Sequence, residues 1–117
     1  MASESAHDQP VAGVSEIRGA VVVRLTGELD LYNAPALREA LLELVAQSPR
    51  RLVLDLTDVS FMDSTVLGAL VEVRARLGSP DGLVLAAPAL ETRRALAVSG
   101  LDRHFEVSET VEGALDS

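Results

Sequence analysis

The chain predicts a single α/β domain with a mixed, mostly parallel sheet packed with helices, in the order ββαβαβαβα. Three observations lead there. At 117 residues it has room for one domain of ordinary size and not for two. Short β-branched or aliphatic runs alternate with stretches in which apolar residues recur every three or four positions. And the first two strands are separated by a tight turn, which makes that pair antiparallel, whereas the later strands are each separated by a helix and so should run parallel through right-handed crossovers. Nearly half the residues are apolar but only 3% are aromatic, so the core must be built from Leu, Val and Ala.

Taken in order, Met1 to Val11 are small and polar without periodicity and read as a disordered tail, leaving residues 12–117 as the domain. His7 in that tail reads as a solvated side chain. Val14 to Arg18 alternate as a first strand, Gly19-Ala20 offers a two-residue turn, and Val21 to Leu25 form a β-branched second strand. Asn33 is placed to cap the next helix, with Pro35 in its first turn, where a missing N–H costs nothing. Leu37, Leu41, Leu44 and Val45 make its apolar stripe, and Ser48-Pro49 ends it.

Arg51 to Asp55 reads as a buried strand, followed by a short loop and a helix carrying Leu67, Leu70, Val71 and Leu77. That helix closes near Gly78-Ser79-Pro80. Leu83-Val84-Leu85 is the next strand. Pro88 opens a further helix with Leu90, Ala97, Val98 and Leu101 on one face and Arg93 and Arg94 on the polar side. Phe105 to Val107 is a weak last strand, flanked by His104, and Val111 to Leu115 a closing helix.

Composition excludes several functions. A formal charge of −8 disfavours nucleic acid, whose binding depends on neutralising phosphates with Lys and Arg. All ten basic residues are Arg. Without Lys there is no P-loop phosphate clamp and no Schiff base; nor can the chain be a response-regulator receiver domain, which relies on a Lys beside its acidic pocket. No Cys means no disulfide framework and no thiolate chemistry. No run approaches the ~20 apolar residues of a membrane span, and no basic-then-apolar leader opens the chain, so a cytoplasmic monomer is the expectation.

The residues with chemical interest lie where the central strands end. Asp63-Ser64 precedes a helical run, so a side-chain oxygen there can cap the helix, and open α/β sheets place their sites at this edge. If the two central strands are parallel neighbours, Asp30 and Asn33 come near Asp58, Asp63 and Ser64. Ser64 has no His at matching spacing to act as base, which excludes a Ser hydrolase. Carboxylates at loop ends serve as caps and turn formers more often than as a Mg²⁺ site, so no metal, no cofactor and no enzyme activity are expected. Two readings of Ser64 stay open, a cap alone or a regulated hydroxyl that gains a phosphate.

Three strings speak to that choice. Asp55-Leu56-Thr57-Asp58-Val59-Ser60-Phe61-Met62-Asp63-Ser64-Thr65 resembles the signature of STAS-domain anti-sigma factor antagonists. Gly27-Glu28-Leu29-Asp30, running on to Ala34-Pro35-Ala36-Leu37-Arg38, is similar to that family's first strand-to-helix loop. Leu96 to Phe105 resembles its L-x-x-x-G-L-D-x-x-F corner. The resemblance covers roughly Val14 to Leu115 and implies the STAS fold. It also implies a protein that binds an anti-sigma factor serine kinase and is released when that kinase phosphorylates Ser64, with Thr65 as the alternative acceptor, so regulating sigma-factor-dependent transcription. Asp30, Asn33, Asp58, Met62, Asp63, Ser64 and Thr65 are the partner-binding residues it implies. A STAS subunit of a membrane transport or stress-signalling complex, not phosphorylated, is the alternative. The chain departs from the family string at Val66, which stands at the usual Gly and could crowd a docking kinase, and at Asn33, which stands at a loop Thr and cannot be phosphorylated.

Overall fold

Right-handed strand twist favours hairpin turns with positive φ at both central residues. The first hairpin of the computed structural model, which describes residues 9–79 and 81–116, turns in this way at Arg18 and Gly19, φ 53° and 83°. That is one residue earlier than Gly19-Ala20, because Ala20 is fully buried and already paired with Ile17. The strands are β1 (Val11–Ile17), β2 (Ala20–Leu29), β3 (Arg51–Met62), β4 (Leu83–Ala86) and β5 (Glu106–Ser108). They form one sheet in the order β1-β2-β3-β4-β5, with β1 antiparallel at the edge and every other pair parallel. β1 starts at Val11, which pairs with Leu25, so this residue belongs to the sheet and not to a tail. Residues 1–8, where the tail and His7 were expected, lie outside the described residues.

Helices α1 (Ala34–Val45), α2 (Ser64–Leu77) and α3 (Leu90–Ser99) cover one face of the sheet, and the six-residue α4 (Val111–Asp116) lies on the other. The main core is aliphatic, built from Leu25, Leu29, Leu37, Leu41, Leu54, Leu67, Leu70, Leu85 and their neighbours. Burying such side chains contributes about 1.5–3 kcal/mol each. Arg51 is the charged residue that is buried among those described. Its Nη1 donates to the Ala114 carbonyl at 2.9 Å, tying α4 to the start of β3.

Two elements differ from their sequence reading. No loop follows Asp55: β3 continues to Met62, and Asp58 pairs with Thr26 inside the sheet. The register jumps between Arg24 and Thr26 and again between Gly27 and Glu28, each time with one extra residue on β3. These bulges break the period-2 pattern, so the buried residues run Leu54, Leu56, Val59, Met62. On α3 the buried residues are Thr92 and Leu96, with Ala95 packed beside them, while Leu90, Ala97 and Val98 are exposed. The helix is short enough for two candidate faces to look alike in sequence, and it docks on the one that presents Leu96. Pro80 is outside the described residues, and Gly78 at φ 74° closes α2.

Candidate functional site

At the carboxyl ends of β2 and β3 two connections meet. Leu29 is beside Met62 in the sheet, and the Asp63 N–H donates to the Leu29 carbonyl at 3.1 Å, so the end of β2 holds the start of α2. Asp63 is the helix cap: its Oδ1 accepts from the Val66 N–H at 3.1 Å. The cap expected of Asp63-Ser64 is therefore supplied by the Asp. Ser64 is the first residue of α2, exposed, and its hydroxyl makes no hydrogen bond among the described residues. Thr65 is likewise exposed. An unused hydroxyl thus stands on a rigid helix start, where the helix dipole and free N–H groups favour an anion.

The β2–α1 connection is held by side-chain bonds that Asp30 and Asn33 make to each other's backbone and to their neighbours. Asn33 Oδ1 accepts from the Asp30 N–H at 2.8 Å, and Asp30 Oδ1 accepts from the N–H groups of Tyr32 and Asn33 at 3.0 and 3.4 Å. Asn33 Nδ2 also donates to the Glu28 carbonyl at 2.8 Å. Asn33 sits at the N-cap position of α1 but caps no helix N–H with its side chain, a correction to its expected role. Its amide spans the turn instead. Asn33 and Met62 are each only 3% exposed, so both support the edge from beneath and present nothing to a partner. Asp58 is not part of the cluster: its carboxylate lies 3.9 Å from Arg24, further back along the strands. The structure brings together Asp30, Asn33, Met62, Asp63, Ser64 and Thr65. Each carboxylate there already has a local task, Asp30 in its turn and Asp63 on its helix.

Val66 is fully buried in the main core. It cannot crowd a docking protein, contrary to the expectation drawn from its place in the string. Sequence reasoning missed the apolar residues around the site. Tyr32 is 81% exposed, and Leu31 and Phe61 also face solvent. With only three aromatics in the chain, two of them on this edge was the available signal.

Between α1 and α2 lies an open groove of about 470 Å³, running from Leu31 and Thr65 past Gly68 to Arg38 and Glu72. Arg38 donates through Nε to Glu72 Oε1 at 2.9 Å and through Nη2 to Oε2, and Arg76 lies 3.8 Å from Glu72. The bidentate hydrogen bonds from Arg38 hold the Glu72 carboxyl below the usual carboxylate range. A carboxyl lowered on folding contributes stability that is present above its unfolded pKa and lost as pH falls through the folded value. Thermal melts should therefore show a loss on the acid side, below about pH 4, that Glu72→Gln makes shallower; parallel curves for the two proteins would contradict it.

A STAS-domain family model matches residues 12–114. The chain is 36% identical over 111 residues to the anti-sigma-F factor antagonist RsfB of Mycobacterium tuberculosis, covering 95% of this chain and 91% of that protein. It belongs to the STAS-domain anti-sigma factor antagonist family. Among solved STAS structures, an anti-sigma factor antagonist from Mycobacterium paratuberculosis superposes with a TM-score of 0.82 at 38% identity, covering 89% of each chain. The Bacillus cell fate determinant SpoIIAA in its phosphorylated form gives a TM-score of 0.66 at 27% identity, over 89% of this chain and 96% of that one. No helix among the described residues is long and apolar enough to cross a membrane.

Proposed function

We propose that this STAS protein binds an anti-sigma factor kinase while Ser64 is free and releases it once Ser64 is phosphorylated, freeing or sequestering a sigma factor accordingly. The observation that carries this reading is the division of labour at the start of α2: Asp63 caps the helix, and the Ser64 hydroxyl is exposed and unengaged. The similarity to antagonists, one of them solved in a phosphorylated form, supports it. The protein acts here as binding partner and substrate, not as enzyme; the kinase supplies base, metal and nucleotide. Both proteins then work in the cytoplasm. The added phosphate brings about −1.5 to −2 charge beside Asp30 and Asp63, and the helix start tolerates it, so docking fails while the fold survives.

Incubation with the purified cognate anti-sigma kinase and ATP should add one phosphate, located on Ser64 by peptide mass spectrometry. A phosphate on Thr65 alone, or on neither residue, would contradict the reading.

A further inference from the structure

An exposed glycine inside a helix is costly to helix stability, since alanine would serve better there unless something needs the space. Gly68 is the fifth residue of α2, exposed, and a Cβ built on it meets nothing within 4 Å. It has no positive φ to explain it, because its backbone is helical. Neither packing nor conformation accounts for this residue. What its missing side chain does is leave space in the α1–α2 groove, which Leu31, Ala34 and Ala69 line with it.

Ser64 and Gly68 are four residues apart, hence on one face of α2 and about 6 Å apart along its axis. Thr65 lines the groove directly. We infer that the groove is the receiving part of the partner interface: an aliphatic side chain, carried on a basic segment of the anti-sigma partner, enters over Gly68. The inference rests on the antagonist reading above. Charge selects the basic segment. Asp30 and Asp63 stand at the Ser64 end with no ion-pair partner among the described residues, and Glu39 lies on the rim, whereas Arg38 is engaged by Glu72. Phosphate on Ser64 then acts on this groove by mass and charge at its mouth, one helical turn from where the side chain seats.

Calorimetric titration tests this with purified anti-sigma-F factor of Mycobacterium tuberculosis and the purified anti-sigma factors of the source organism as probes. Wild type should bind one of them; Gly68→Leu should weaken that affinity more than tenfold, and Gly68→Ala about threefold. Both variants should melt at or above the wild type. Ala75→Leu, exposed near the far end of α2, should bind normally. Gly68→Leu binding like wild type would overturn the groove. If Gly68→Leu melts lower, Gly68→Ala decides: unchanged affinity with a raised melting temperature overturns the groove equally. A wild-type dimer dissociated by Gly68→Leu in sedimentation would assign the groove to a second copy and overturn the proposal. Wild type binding none of the probes would instead overturn the antagonist reading itself.

Discussion

Ser64→Asp is expected to lower affinity for the anti-sigma partner about 100-fold, while Ser64→Ala keeps wild-type affinity and cannot be switched off. The Asp puts a larger, charged group at the mouth of the groove, where the partner otherwise packs against a small neutral hydroxyl, and desolvating a charge that has no partner of its own costs several kcal/mol. Stability should separate from this effect completely. Ser64 is not the cap, so Ala loses no capping bond and should stay within about 0.5 kcal/mol of wild type. Asp in the first turn gains from the helix dipole by about 0.3–1 kcal/mol. The variant that folds better should therefore bind worse. Titration and thermal melts on the same two proteins check it; equal affinities would remove the charge argument.

Val66→Gly is expected to be the most damaging change near the site, and for a reason unrelated to docking. It restores the residue usual in the family string, yet Val66 is fully buried. Deleting a buried Val side chain costs about 1.5–3 kcal/mol, and Gly in a helix adds about 1 kcal/mol. Against a total of about 5–15 kcal/mol for a domain of this kind, that is a large loss. Denaturant unfolding measures it directly. Partner affinity, read well below the melting temperature, should be unchanged; a gain in affinity would mean that Val66 does obstruct the interface.

Most of the architecture was legible because periodicity reports burial. The stripe Leu37–Leu41 of α1, the run Leu83–Leu85 and the tight first turn each carry a single consistent signal. The far half of β3 was not legible. Two bulges put an extra residue into the strand twice, so Leu56, Val59 and Met62 face inward without alternating, and the stretch reads as a loop. The assignment of the cap was ambiguous for another reason. Asp and Ser are equally good at that position, and only the Asp63–Val66 bond separates them. Asn33 shows the same limit: its position before α1 was right, but its side chain serves Glu28 and Asp30 across the turn. Partner residues were named by their place in the strings, which cannot tell a side chain on the surface from one beneath it. Hence the strings place the buried Met62 and Asn33 alongside the exposed Ser64 and say nothing of Leu31 and Tyr32, which face solvent beside them.

The central claim is that one phosphate on Ser64 controls binding. It is tested most directly by titrating the anti-sigma partner with the unmodified protein and with the same protein stoichiometrically phosphorylated at Ser64. Ser64→Ala is taken through the same kinase treatment as control. The expected result is an affinity about 100-fold lower for the phosphorylated protein, with circular dichroism unchanged and the control unaffected. Equal affinities for the two forms would contradict the account.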